Sequence, residues 1–310
     1  MRADYDSDGE RDGSMIPVRS MLFTPGDRLD MLEKAGRSGT DAVIVDLEDA
    51  VSLDNKDEAR RNLARLPASP VPYYVRTNAA DTTQFWDDVF AAGQADVVGL
   101  ILPKAESPEV ISRVDGALRV LEQASGKEPG TLAIIPLIES GLGVRLTYEI
   151  AGASARVASV MFGGGEQGDL IADLGAEWTA DGTGLMHARS QVLLSARAAG
   201  VPYPMEAVFM DFRNLEALRV ECEVARILGY VGKVAIHPAQ VAVINDVFTP
   251  APEVVDQHRR ILRAFEEAEA QGKASIAVDG KMVDYAVARV ARGVIARADA
   301  ARRATARAET

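Results

Sequence analysis

Apolar positions in this chain gather in short unbroken runs rather than in alternation with polar ones. The most informative is residues 134–143, IIPLIESGLG, which stays apolar until it meets the carboxylate of Glu139. A run of this length without period-two alternation predicts a strand covered on both faces, as in a parallel sheet. The same design recurs along the chain. Residues 21–23 of RSMLFTPGDR read as a strand, with Thr24-Pro25-Gly26 as its turn and a helix running on through Lys34. Residues 42–45 of DAVIVDLEDAV form the second run and PYYVRTN, ending on Arg76, the third. VVGLILPKAE, IIPLIES, VASVMFGG, EAVFMDF and GKVAIHP supply the fourth to the eighth. Between them, residues 57–66, 108–124 and 215–228 repeat apolar side chains every three or four positions, the period of a helix packed on one face. Eight strand-like runs alternating with helices predict an α/β chain folded as a (β/α)8 TIM barrel. An open doubly wound sheet is the alternative, but no GxGxxG follows the first run, and GGGEQG at 163–168 comes only after the sixth.

The pattern changes at both ends. Residues 1–15 combine acids, Gly and Ser with little to bury, which predicts a mobile N-terminal arm. The barrel is then expected over residues 16–250 and a C-terminal helical extension over 251–310. Amphipathic helices are predicted at 252–271 and 283–301, the second with Val287, Val290 and Val294 on one face. Such a pair needs cover for its apolar stripe, either from another subunit or from its own barrel.

Composition narrows the partners. A net charge of −12 on 310 residues argues against a general nucleic-acid surface. Cys222 is the sole cysteine, which excludes an intramolecular disulfide and fits a reducing compartment; its neighbours Glu221 and Glu223 disfavour a thiolate, so it reads as structural. No apolar segment reaches membrane-spanning length and the first residues are charged, so a cytoplasmic protein is expected.

In a barrel every strand tip points at one mouth, and here the tips are polar. Phe23 and Arg28, Glu48 and Asp49, Arg76 and Asn78, Lys104, Glu139, Asp169, Glu206 and His237 form the predicted ring. Acids at the fifth and sixth tips suit one hard divalent cation, Mg²⁺ or Mn²⁺, with water and substrate completing its shell. Glu139 is the first ligand; at the sixth tip both Glu166 and Asp169 are available. Arg76 cannot lose its proton and offers a fork of donors for an enolate oxygen or a carboxylate, unless it is consumed in an internal ion pair with Glu48 or Asp49. Asp46, Glu48 and Asp49 are too many for one such metal site and are expected to orient its waters and Arg76, or to cap the following helix. Lys104 as a Schiff-base nucleophile is the sharper reading of LILPKAE and the less economical one, because a metal already supplies the electron sink. His187 and His258 fall in helical segments, away from the tips.

RSMLFTPGDR, VDLEDAVSLDNKDEAR, YVRTN, LILPKAES, PLIESGLGV, DLIADLG, GKVAIHPAQV, FTP and DGKMVD resemble, in that order, the citrate lyase β-subunit family. That family lies within the HpcH/HpaI-type aldolases, which include malyl-CoA and citramalyl-CoA lyases, and the resemblance runs from about Arg19 to Asp284. It implies Mg²⁺-dependent cleavage or formation of a carbon–carbon bond beside a CoA or acyl-carrier thioester. It also implies Glu139 and Asp169 as metal ligands, Arg76 as a substrate ligand, and Phe23, Arg28 and Lys34 around the CoA. Asp284 matches an acid that reaches a neighbouring subunit's site in similar enzymes, which goes with a homotrimer. Its alternative is a helix cap. His237, before Pro238 at the eighth tip, is placed either to meet the thioester or pantetheine arm or to serve as a buried structural histidine. Two departures stand out: the family's Gly-Glu-Asp-Leu at the sixth tip is here stretched to residues 165–170, GEQGDL, and Glu206 stands where Asp is usual, a change expected to narrow the mouth. Three activities remain open: a lyase of a 3-hydroxyacyl-CoA with condensing or thioesterase activity as variants, a class II aldolase of a free hydroxy-oxo acid, and a subunit that docks an acyl-carrier protein.

Overall fold

The computed structural model describes residues 17–179 and 181–308; the arm expected over residues 1–15 lies outside them. Eight strands run in parallel: β1 Ser20–Pro25, β2 Ala42–Asp46, β3 Tyr73–Arg76, β4 Gly99–Leu102, β5 Ala133–Ile138, β6 Met161–Phe162, β7 Met205–Glu206 and β8 Lys233–Ala235. They pair in sequence order, and β8 closes on β1 through Ser20 opposite Lys233. The returning helices are α1 Leu29–Gly36, α2 Lys56–Asn62, α3 Phe85–Gln94, α4 Pro108–Ala124, α5 Gly141–Gly152, α6 Asp169–Leu174, α7 Met186–Ala198, α8 Leu215–Leu228 and α9 Pro238–Phe248. The predicted barrel is the observed fold, and α4 and α8 begin and end where the apolar spacing put them.

Period-two geometry explains why the runs lack alternation. Met21, Ile44, Tyr74, Ile101, Ile135 and Val234 fill the barrel interior, while their neighbours such as Leu22, Val43, Val45 and Leu100 pack under the helices. Both faces are dry, so both are apolar. The same step of two, continued to the strand ends, carries the inward row from Met21 to Phe23, from Ile44 to Asp46, from Tyr74 to Arg76 and from Leu137 to Glu139. The mouth is therefore lined by the polar continuation of the interior.

After α9 come α10 Pro252–Glu269, an antiparallel hairpin of β9 Ser275–Val278 and β10 Lys281–Asp284, and α11 Tyr285–Ala308. The hairpin corrects the expectation of two helices alone. Its turn is Asp279-Gly280, both left-handed at φ +50° and +74°, and Asp-Gly at positive φ is the favoured two-residue hairpin loop. Phe265, Val283 and Ala288 form a small core here, with Ile261, Ile276 and Val287 against it. Farther along α11, Val294 and Ala298 pack on Val255, and Arg19, just before β1, reaches Thr305 at 3.5 Å. The chain's own α10 and barrel floor thus cover part of the stripe assigned to a partner, while Val290 stays exposed. Among the described residues no helix is long and apolar enough to cross a membrane.

Candidate active site

Arg76 ends β3 and is nine-tenths buried at the mouth. Its Nε and Nη2 donate to the two carboxylate oxygens of Asp46 at 2.7 and 2.6 Å, a fork that fixes the guanidinium plane. Asp46 in turn accepts from the amides of Glu48 and Ala50, so the loop after β2 folds around it. The remaining nitrogen, Nη1, lies 2.9 Å from Glu48 and 3.5 Å from Asp49, and the guanidinium stacks over Phe23 at 4.5 Å. The internal ion pair weighed for Arg76 therefore exists, with Asp46 as its main partner. Burial, opposed by the neighbouring Arg76 charge, pushes the Glu48 carboxyl up to about 8.

Glu139 follows β5 and accepts from the backbone amide of Lys104 at 2.8 Å. That amide is aimed by a left-handed backbone at Lys104, φ +49°, which a non-glycine residue adopts at a cost. From the same residue the ammonium extends to 3.5 Å from Asp169 and 3.9 Å from Glu48. Burial pushes the Glu139 carboxyl up to about 7, with the nearby Asp169 charge adding to the rise and Arg76 and Lys104 opposing it. Space for Glu139 comes from Gly163: a Cβ there would sit 2.6 Å from the Glu139 Cβ. At the sixth tip a turn closes with Gly168 donating to Gly165 at 3.0 Å through a left-handed Gln167, which starts α6 on Asp169. The extra Gln-Gly thus delivers Asp169, rather than Glu166, to Lys104.

These residues fit a hard divalent cation. Two carboxyl groups from adjacent tips offer hard oxygen donors, and a cationic group, the Lys104 ammonium, already rests against one of them. Among the described residues no group of three or more His, Cys, Asp or Glu side chains converges into a ready metal cage. Mg²⁺ needs none, since it commonly takes one or two carboxylates and fills its octahedron with water and substrate.

The other expected site residues are placed as follows. Phe23 is in the mouth under Arg76. Arg28, at the N-cap of α1, and Lys34, on α1, are exposed beside β1, and both pair with Asp30, at 3.1 and 3.9 Å. His237 caps α9, its Nδ1 accepting from Ala239 and its ring stacked on Phe212 at 4.6 Å. Asp284 ends β10 opposite Ser275 and caps α11, with Oδ1 accepting from the amides of Ala286 and Val287 at 3.0 and 3.1 Å. Glu206 is a correction: it does not line the mouth. Met205 takes the inward position on β7, so Glu206 faces outward, where it meets Arg189 at 2.8 Å and Lys233 at 3.7 Å, with Glu221 also in the cluster. All four are nearly solvent-free, and an extra methylene there changes the packing behind the barrel.

Sequence reasoning missed Lys56. Its buried ammonium donates to the carbonyls of Leu47 and Glu48 at 2.6 Å and to Asn78 at 2.7 Å, tying the β2 and β3 loops together. Asp88 holds Asn78 through its amide and side chain and pairs with Arg60. The signal was present in NKDEAR, but a lysine in a helix that reads as exposed gives no hint of turning inward. A cavity of about 960 Å³ lies at the opposite end of the barrel, between residues 66–72 and α11, and shares none of these groups.

Comparison with known proteins finds relatives along most of the chain. Residues 19–238 match the model of the HpcH/HpaI aldolase/citrate lyase family. The citrate lyase subunit beta of Haemophilus influenzae is 34% identical over 284 residues, covering 90% of this chain and 96% of that protein. A (3S)-malyl-CoA thioesterase of Cereibacter sphaeroides is 35% identical over 289 residues, covering 92% and 95%. The crystal structure of protein CitE from Mycobacterium tuberculosis, in complex with magnesium, acetoacetate and coenzyme A, superposes with a TM-score of 0.72 at 31% identity, over 92% of this chain and all of that one.

Proposed function

The chain belongs to the HpcH/HpaI aldolase/citrate lyase family, and from that premise we propose that it is a Mg²⁺-dependent carbon–carbon lyase of a 3-hydroxyacyl-CoA such as malyl-CoA or citramalyl-CoA, working in the cytoplasm as a homotrimer. The observation that carries the reading is the meeting, at one barrel mouth, of a guanidinium locked in plane by Asp46 with the acids Glu139 and Asp169. Cleavage removes the hydroxyl proton, breaks the bond between the hydroxyl carbon and the thioester α-carbon, and leaves the electron pair as a thioester enolate that must be protonated on carbon. When bound between Glu139 and Asp169, Mg²⁺ supplies Lewis acidity toward the oxo-acid oxygens.

The protein's own groups do the rest. Arg76 presents Nη1 to the developing oxyanion or to the substrate carboxylate, and the Asp46 fork prevents it from turning away. Glu48, once it has given its own proton to solvent, takes the hydroxyl proton beside that nitrogen and passes it to solvent in turn, and burial, by raising its carboxyl to about 8, makes the ionised form a stronger base. Phe23 keeps water from the face of Arg76, and Arg28 with Lys34 attracts the CoA phosphates at the rim. Asp284 protonates the enolate carbon in a neighbouring copy's mouth, and His237 borders the thioester arm.

Incubation with malyl-, citramalyl- and 3-hydroxy-3-methylglutaryl-CoA, with Mg²⁺ or with EDTA, tests this by mass spectrometry of the oxo acid and acyl-CoA released. Metal-dependent cleavage of any one supports the lyase. Release of free CoA without cleavage moves the assignment to the thioesterase reaction, which the likeness to the Cereibacter protein favours. The likeness to citrate lyase beta subunits favours an acyl-carrier thioester as the alternative substrate. Inertness toward every thioester would overturn the CoA reading and leave the free-acid aldolase.

A further inference from the structure

Lys104 sits differently from every other cation at the mouth. Arg76 is fixed by a bidentate partner, and Lys56 is buried under two carbonyls and an amide. The Lys104 ammonium has neither: it is partly exposed, and it hangs between two carboxylates from different strand tips, 3.5 Å from Asp169 and 3.9 Å from Glu48. Its backbone is nevertheless one of the most constrained here, held at φ +49° with its amide on Glu139. A rigid base thus projects a mobile charge onto the same acid that, together with Glu139, is suited to a divalent cation.

We propose that the Lys104 ammonium is an internal competitor for the divalent cation: it occupies the Asp169 side of the site when the metal is absent and must be displaced for the metal to bind. This rests on the metal-site reading given above. Two cations cannot both lie against Asp169 without strong mutual repulsion, whereas Lys104 has a flexible four-carbon stem and an open side through which to leave. Lys104 then sets metal affinity from outside the ligand set, and its backbone amide keeps Glu139 aimed in both states. A residual single charge about 6 Å from a divalent one, in water-like surroundings, weakens metal binding by about tenfold.

The test is Mg²⁺ binding by calorimetry, checked with Mn²⁺ by loss of the free-ion paramagnetic resonance signal, on the full chain near pH 8. Lys104→Met keeps the length and the unbranched Cβ, so it places no new demand on the left-handed backbone. It should tighten Mg²⁺ by about tenfold. Lys104→Arg, which keeps the charge, should bind within about twofold of the unaltered chain, a margin well under the tenfold effect. Equal affinity in Lys104→Met and the unaltered chain overturns the proposal, as does weaker binding in Lys104→Met, which would make the ammonium an aid to the metal. Failure of the underlying site has a different signature: no saturable binding in any variant, or binding that Asp169→Asn and Glu139→Gln leave intact.

Discussion

Metal binding at this mouth should release protons, and the amount follows from the two carboxyls that burial holds near neutrality. In the metal-free protein Glu139 titrates at about 7. A cation ligated by Glu139 requires it ionised, so binding at about pH 6 must expel about 0.9 proton, and at about pH 8.5 less than about 0.05. Apparent affinity should fall by about tenfold between about pH 8 and pH 6 for the same reason. Glu48, pushed up to about 8, adds at most one further proton, because it faces the site without being a ligand. The two carboxyls feel each other, so the measured steps belong to the pair. Titration of Mg²⁺ into protein at both pH values, each in two buffers of different ionisation enthalpy, yields the proton count directly. Glu139→Gln should bind poorly at every pH. Tight binding at about pH 6 with no proton released would refute the argument, since it would mean either that Glu139 is already ionised or that it does not touch the cation.

Other consequences can be measured separately. Because both carboxyls have folded values above their ordinary 4.5, the folded chain binds more protons than the unfolded one across the interval up to about 8, and stability falls as pH rises through it. Melting temperature in EDTA should therefore drop from about pH 5 to about pH 8, and Mg²⁺ should offset most of that loss; a flat profile in EDTA would contradict the burial argument. Arg76→Ala strands Asp46 and Glu48 and should cost about 3–5 kcal/mol in denaturant unfolding, whereas Arg76→Lys keeps a charge yet loses the fork, so that it folds but turns over at least about a hundredfold more slowly. Gly163→Ala should cost about 1–3 kcal/mol by pressing on Glu139 and should weaken Mg²⁺ binding, although no polar group is altered. Asp284→Asn retains a good helix cap, so an unchanged melting temperature with lost turnover would separate a proton-transfer role from capping; mixing it with Arg76→Ala subunits should restore some activity if the acid acts in trans.

The barrel was legible because each strand is buried on both faces, which writes an unmistakable unbroken run. Strand ends were less so: EAVFMDF, residues 206–212, reads as the seventh strand, yet the ladder pairs Met205–Glu206 and shares only Glu206 with that run, because an apolar run reports burial rather than hydrogen bonding. The hairpin before α11 was missed although SIAVDGKMVD carries its Asp-Gly turn, since its two short strands are largely exposed and alternate only weakly, so the segment read as a connection between two helices. Of the site, Arg76 and Glu139 could be placed from their positions at the ends of apolar runs, whereas position alone left Asp169 and Glu166 as alternatives and the family resemblance pointed to Asp169. What could not be read was which face of the strand a tip residue takes, nor that Lys56 folds inward, since both depend on register set by neighbouring strands.

Glu206 shows why that face matters for function. Behind the barrel, Arg189 and Lys233 meet Glu206 and Glu221, two cations against two acids, and the cluster is closed to solvent and internally balanced. Nothing in its charge calls for a ligand. At the mouth, Asp46, Glu48, Asp49, Glu139 and Asp169 face only Arg76, Lys104 and the buried Lys56, five acids against three cations. Two negative charges are left over, and Glu48 and Glu139, which burial already desolvates, respond by holding protons near neutral pH. One divalent cation cancels that excess. A strand carboxylate that faces outward, as Glu206 does, thus joins a sealed and balanced cluster with the helices, while those on the inward row leave a charged mouth suited to a metal.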